Sequence, residues 1–332
     1  MYERTNALIR EQMQQGVFPG ASWAFLDDEK EQKHVEGLAQ VVPTKEILRE
    51  NMLYDMASIT KVVCTTSLIL KLWEQGEIDL DVPFRRYYPS FLDEKVTVRH
   101  LLTHTSDINP WIENREKLSA NELKEAFNFL KSGENVGEIV KYTDTGTILL
   151  GFLLENIFQM NVQSAFQQFV LDELEMNNSC FQPAPIELSV PTENHVTRGV
   201  IRGWTHDPKA FVLGESAGSA GLFSTLDDQI KFVRKVFFEQ SYLKPATIEK
   251  LLHDQTPSGT LARSLGWDLR QNKQEEPVLF HTGFTGTFLL VDVRNQRAFI
   301  FLSNRVHPEN HRQAYILSRE ELVAKYFEEC EE

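Results

Sequence analysis

Residues 54–63 read YDMASITKVV, and the fold turns on this stretch. It opens a long helical pattern, about 58–74, and sets Ser58 and Lys61 three apart at its start. Positions i and i+3 share a helix face, so an amine can stand beside a serine hydroxyl. A serine is a weak nucleophile until a neighbouring base takes its proton. A helix N-terminus adds free backbone N–H groups and a dipole that favour a developing anion. The pair alone is weak: with 18 serines and 17 lysines in the chain, chance supplies about one S-x-x-K. A second copy, Ser241 to Lys244, falls in a turn ahead of Pro245. The plain alternative for Ser58 is a helix cap, and for Lys61 a solvated charge.

Working outward, residues 3–15 form an amphipathic pattern with Ala7, Leu8, Ile9 and Met13, stopped by Gly16 and Pro19-Gly20. Residues 21–26 and 34–39 read as strands about a turn at 27–30. Helical patterns follow over 97–104, 121–131, 146–158 and 161–173. Residues 177–220 are rich in Pro, Gly, Ser, Asn and His and lack periodicity. A long loop-rich excursion of this kind often carries part of a site. Beyond a helix at 226–238, four short strand-like runs at 264–270, 278–281, 287–293 and 298–303 suggest an antiparallel meander, and a helix over about 310–329 closes the pattern. Strands at both ends and helices between them predict an α+β fold, with the ends joined in one antiparallel sheet. The expected units are a discontinuous sheet domain with flanking helices, 1–57 plus 225–332, and a mostly helical lobe with long loops, 58–224. The active site is expected in the cleft between them.

The 332 residues suggest about two units at roughly 150 residues each. A hydrophobic share of 42% with 25% charged excludes disorder and a coiled coil. Acidic residues number 48 against 34 basic, a net charge of −14, which argues against a nucleic-acid partner. Cys64, Cys180 and Cys330 are too few and too scattered for a disulfide framework or a zinc ribbon, so reduced thiols are expected. The most apolar stretch, Val62 to Leu70, is about half the ~20 residues that span a bilayer, so no membrane segment is expected. The first residues carry charges of both signs and no apolar signal-peptide core, which points to a cytoplasmic location.

Two further elements lift the S-x-x-K pair above chance. Tyr142-Thr143-Asp144 heads the helix at 146–158, is the only Y-x-[ND] triplet, and resembles the Y-x-N or S-D-N element of serine penicillin-recognising enzymes. His281-Thr282-Gly283 ends a strand-like run and resembles their K-T-G element. The order of the three matches, at intervals of 84 and 139 residues. With them the chain resembles the beta-lactamase-related serine hydrolases: the group of class C beta-lactamases, D-alanyl-D-alanine carboxypeptidases, esterases and penicillin-binding-protein-like enzymes. The likeness takes in residues 16–21, 84–89, 100–106, 206–207, 218–225, 266–267 and 280–286.

The resemblance implies a beta-lactamase/transpeptidase-like fold and hydrolysis of small esters, amides or beta-lactams through an acyl-enzyme, with no metal and no cofactor. It implies Ser58 as the acylated nucleophile, Lys61 as the group that helps deprotonate it, and Tyr142 as the proton shuttle to the leaving group and then from water. The backbone N–H groups of Ser58 and Phe284 would form the oxyanion hole, and Asp144, His281, Thr282 and Gly283 would meet the substrate. Two positions depart from the family pattern. Asp144 stands for an Asn that donates to a substrate carbonyl, which an ionised carboxylate cannot do; it would instead hold Lys61. His281 stands for a lysine, and a histidine is mostly neutral near pH 7. Both imply a preference for neutral esters over carboxylate-bearing amides. Two other classes of function compete: a penicillin-binding module that acylates with little turnover, and an inactive scaffold. His100 and His104, four apart, lack the Glu of H-E-x-x-H and read as a structural helix end. His206-Asp207 reads either as cleft lining or as a loop anchor.

Overall fold

The computed structural model describes residues 1–330. Its main sheet is formed by β1 (Gly20–Asp27), β2 (Lys30–Gln40) and β3 (Glu46–Ile47) from the start of the chain. It is completed by β8 (Asp268–Gln271), β9 (Pro277–Thr282), β10 (Phe288–Asp292) and β11 (Arg297–Ser303). The order is β3-β2-β1-β11-β10-β9-β8, with every neighbouring pair antiparallel. The joining of the two ends is thus the β1–β11 ladder, which runs from Ala21 opposite Ser303 to Asp27 opposite Arg297. Between β3 and β8 lie two short pairs, β4 (Tyr54–Asp55) with β7 (Phe223–Ser224) and β5 (Asn194–His195) with β6 (Gly199–Val200).

Period-two alternation divides the sheet residues between two cores. Trp23, Phe25, Phe280, Phe288, Phe299 and Phe301 face outward and pack with α1 (Glu3–Gln14) and α10 (Arg312–Glu329). Ala24, Leu26, Leu279, Leu289, Val291 and Ile300 face the other way, into the helical lobe. That lobe is built on α5 (Thr145–Phe158), whose first ten residues are all buried, with α2 (Ser67–Glu74), α3 (Val98–Leu102), α4 (Ala120–Asn128) and α6 (Val162–Phe166) around it. A helix apolar on every side belongs in an interior. α7 (Pro208–Leu213), α8 (Leu226–Val233) and α9 (Pro245–Leu251) complete it. No helix among the described residues is long and apolar enough to cross a membrane.

Four expected elements are shaped differently; the helices expected at 161–173 and 226–238 turn into π-turns at Gln167–Leu171 and Arg234–Phe238, and the other two border the site. Residues 58–74 are not one α-helix: Lys61 N bonds to Ser58 O in a tight i→i+3 turn, residues Lys61–Thr66 form a wide π-turn, and only then does α2 begin. Hydrophobic periodicity cannot separate these, because the same residues stay buried. The run expected from 264 becomes a strand only at Asp268. Gly266 sits at φ +79°, outside strand geometry, and a Cβ there would meet Thr66 Oγ1 at 2.4 Å.

Candidate active site

A cavity of about 390 Å³ opens where the helical lobe meets the ends of β9 and α10, and Ser58, Tyr142, Asp144, Thr282, Gly283 and Phe284 all line it. Ser58 stands at its floor. The residue before it, Ala57, has φ +45°, a left-handed conformation that turns the chain sharply out of β4. The i→i+3 turn that follows matters for geometry: at three residues per turn, side chains i and i+3 eclipse. Lys61 Nζ accordingly lies 2.6 Å from Ser58 Oγ. The Lys61 side chain is only 1% exposed.

Two carboxylates fix this corner. Asp144, beside the start of α5, places Oδ1 2.8 Å from Lys61 Nζ. Its Oδ2 is taken by Lys209 Nζ at 2.5 Å. Asp144 therefore holds Lys61, and each of its carboxylate oxygens already faces an ammonium. Burial drives the Lys61 pKa down, but Asp144, with Tyr142 and Asp207 behind it, more than reverses this, and the ammonium is stabilised. Burial likewise pushes the Asp144 carboxyl up, and the Lys61 and Lys209 ammonium groups bring it well below the usual carboxylate range. The second carboxylate is Asp55 on β4, fully buried, whose Oδ1 accepts from Ala57 N at 2.8 Å and whose Oδ2 accepts from His206 N at 2.7 Å. It ties the nucleophile turn to the loop around 206; sequence gave no sign of it.

The segment after β9 is stitched to the same turn. Thr285 Oγ1 donates to Asp55 O at 2.7 Å and Thr287 Oγ1 to Met56 O at 3.3 Å. Gly283 is required here, since a Cβ would come within 2.6 Å of Met56 O. Phe284 is thereby held at the cleft, and Arg305 donates from Nε to its carbonyl at 2.9 Å. The backbone N–H groups of Ser58 and Phe284 have no acceptor among the described residues. Both residues line the cavity, and two unengaged amides in one cleft are what a developing oxyanion needs.

Tyr142 is half exposed at the cavity wall, its ring 5.4 Å from Lys61 Nζ. Behind it lie His104, ring to ring at 4.6 Å, His281 at 6.0 Å, and the Arg263 guanidinium at 5.6 Å. His281 does not open to a substrate. It follows Leu279 by two on β9, so it shares the inward face, and it is 3% exposed. Burial, reinforced by the Arg263 and Lys61 cations, holds it well below the ordinary histidine pKa. The positive charge in the cleft comes from elsewhere: Arg305, Arg312 and Arg319 line the cavity. Arg319 is paired with Glu320; Arg312 has no carboxylate partner among the described residues. His206 and Asp207 do both things foreseen for them. They line the cavity, and they anchor the loop, with the His206 ring 2.9 Å from Glu193 and Asp207 Oδ1 capping α7 through Ala210 N. His100 closes a capping box with Thr97, away from His104.

A family model described as Beta-lactamase matches residues 5–322. A putative D-alanyl-D-alanine carboxypeptidase of Salmonella typhimurium is 26% identical over 312 residues, covering 77% of this chain and 70% of that protein. Among solved structures, a beta-lactamase/D-alanine carboxypeptidase from Pseudomonas syringae superposes with a TM-score of 0.78 at 19% identity, over 97% of this chain and 96% of that one. A hydrolase with promiscuous acyltransferase activity gives 0.77 at 16% identity, over 97% of both chains. A class C beta-lactamase gives 0.76 at 19%, over 96% and 94%. These likenesses show the α+β, beta-lactamase/transpeptidase-like fold.

Proposed function

From the premise that the chain belongs to the beta-lactamase family of serine hydrolases, we propose that it cleaves small carboxylate-bearing amides or esters through an acyl-enzyme on Ser58. The observation that carries this is the 2.6 Å contact between Lys61 Nζ and Ser58 Oγ, in the cavity that Ser58 and Phe284 both line. In the first step Ser58 Oγ attacks the carbonyl carbon while its proton passes to the Lys61 amine. The carbonyl oxygen becomes an oxyanion held by the Ser58 and Phe284 N–H groups. Tyr142, at the cleft wall, delivers a proton to the leaving group, whose bond to carbon then breaks. Water reverses the sequence and frees Ser58. Donors of this kind are worth ~3 kcal/mol each in the transition state. The reacting groups come from both proposed units, 1–57 with 225–332 and 58–224, and meet at their junction.

The substrate class rests on the cleft charge. His281 is shut away, but Arg312, over the Phe284 ring and without a carboxylate partner among the described residues, stands at the cavity wall, where a carboxylate can reach it. This favours acidic substrates over the neutral esters that the His281 position alone implied. Relatives named for D-alanyl-D-alanine cleavage fit that charge, as such peptides end in a carboxylate. The three thiols are free, which supports a reducing, cytoplasmic setting.

The test is intact-mass analysis after mixing with penicillin, nitrophenyl esters and D-alanyl-D-alanine peptides. One adduct on Ser58, lost in Ser58→Ala, is expected; an adduct on Ser241 would sink the assignment. Arg312→Gln should lower kcat/KM about tenfold for carboxylate-bearing substrates and leave neutral esters unchanged, as one charge-assisted contact is worth ~1.5–3 kcal/mol.

A further inference from the structure

Lys209 lies in the loop-rich stretch, 65 residues beyond Asp144, yet its ammonium is 2.5 Å from Asp144 Oδ2. Its delivery there is built into the loop. His206 N is bonded to the buried Asp55 carboxylate at 2.7 Å, Asp207 caps α7, and Pro208 follows at the first helical position, so Lys209 starts from an anchored turn. Its side chain is 17% exposed, and Asp207 Oδ2 lies 3.8 Å from its nitrogen. The result is one carboxylate with an ammonium on each oxygen: Lys61 at 2.8 Å, which touches the nucleophile, and Lys209, which does not.

Lys61 can take the Ser58 proton only as an amine. A carboxylate in contact opposes that, because it stabilises the ammonium. A second cation on the same carboxylate offsets the opposition and prevents the carboxylate from rotating toward Lys61 with both oxygens. We propose that Lys209 is a positioning residue for the catalytic base: it holds Asp144 from the side away from Lys61, so that Asp144 fixes the lysine in place while favouring its ammonium less than an unshared carboxylate would. This rests on the reading of Ser58 and Lys61 given above. The other groups that face Lys61 are Tyr142 and Asp144 from the head of α5, Asp207 from the α7 loop, His104 from the end of α3 and His281 from β9; Arg263, from the loop before β8, lies beyond Tyr142. Of these, Asp144 and Asp207 touch Lys209.

The experiment is the pH profile of kcat/KM for a nitrophenyl ester in wild type, Lys209→Met, Lys209→Arg and the double variant Lys209→Met/Asp144→Asn. In Lys209→Met the Asp144 charge falls on Lys61 alone. Its acidic limb should move up by about one pH unit, and kcat/KM at pH 7 should drop about tenfold, since one unit of pKa is a factor of ten in the amine fraction. Lys209→Arg should keep the wild-type limb, and removing the Asp144 charge in the double variant should bring the limb back down. A Lys209→Met enzyme that loses rate with its limb unmoved, or a double variant no better than the single, would overturn the proposal and leave Lys209 a structural tie. Ester turnover by Ser58→Ala keeps the two readings apart. If that variant still hydrolyses the nitrophenyl ester, the Ser58 hydrolase assignment itself fails; if it does not, an unmoved limb fails Lys209 alone.

Discussion

Tyr142 stands between two buried polar neighbourhoods that are built on opposite plans. On its cleft side, Lys61, Asp144 and Lys209 form a chain of charges in which each has a counter-charge within 2.8 Å. On its far side are Arg263, His104 and His281. There Arg263 makes one hydrogen bond, to Asp268 at 3.3 Å, while its Nε and Nη2, His104 Nδ1 and both His281 ring nitrogens are buried without a hydrogen-bond partner among the described residues. Burial without a partner costs free energy, so such groups persist where a function or the surrounding fold holds them. The cleft side keeps its charges ionised by pairing them. The far side keeps two histidines neutral by surrounding them with apolar atoms and one cation, since burial first and the Arg263 charge next hold both well below the usual histidine pKa. The lysine that must gain and lose a proton is thus placed beside a carboxylate that a second cation shares, and groups that must stay neutral are placed where a proton is unwelcome.

The comparison breaks most severely at Lys61. Lys61→Met leaves Asp144 paired with Lys209, but removes the base from Ser58. A fall in kcat/KM of ~10³-fold or more is expected, at the upper end for a lost general base; steady-state ester hydrolysis within tenfold of wild type would move the base elsewhere. Tyr142→Phe removes the hydroxyl and keeps the ring that separates the two neighbourhoods. Its melting temperature should hold while kcat/KM falls by roughly 10².

The far side is read out by stability rather than rate. His104 and His281 are neutral in the fold, and the unfolded chain takes up protons on them below about pH 6.5. The unfolded state then binds more protons than the native one, so stability is full above pH 6.5 and is lost as pH falls from there toward the lower native values. Each histidine adds a slope of at most about 1.4 kcal/mol per pH unit. Melting temperature should drop between pH 7 and 5, and the double variant His104→Gln/His281→Gln should flatten that drop. Wild-type melting that is level across the window would show that the folded protein protonates them freely. The smallest effect is expected from Arg263→Met. An apolar side chain of similar length in place of a poorly paired buried cation is often neutral or stabilising, so unfolding free energy should stay within ~1 kcal/mol of wild type, whereas a loss of several would show that the guanidinium is held by more than Asp268.

The cleft side was largely legible in the sequence and the far side was not, for a physical reason. Ser58 and Lys61 are three apart, and Tyr142 and Asp144 two apart, so local spacing already fixes their mutual geometry. The sheet was legible because alternation and short turns mark its strands, and its closure followed from strands lying at both ends. Lys209 and Arg263 reach the site only through tertiary contacts from segments without periodicity, and Arg312 only through the packing of α10. No local pattern distinguishes such a residue from a solvated charge. His281 was located correctly on its strand but read as facing a substrate; the register with Leu279 and Leu289, which decides the face, is a property of the assembled sheet.

The ladder between β1 and β11 also sets an order of events. β1 is complete once residue 27 is made, but its partner ends at residue 303. At ~5–20 residues per second, about 10–60 s of synthesis separate the two. Throughout that interval the β1–β2 hairpin carries an open, strongly apolar edge, while α5 and its neighbours already have the local contacts to fold. Long-range strand pairing is slow and exposes such edges to aggregation. The nucleophile turn, which leans on residues 283–287, cannot take its working shape until the last strands arrive. A nascent chain paused ahead of β9 therefore holds Ser58 and Lys61 without Phe284, and the site is assembled only after residues 283–287 have been made.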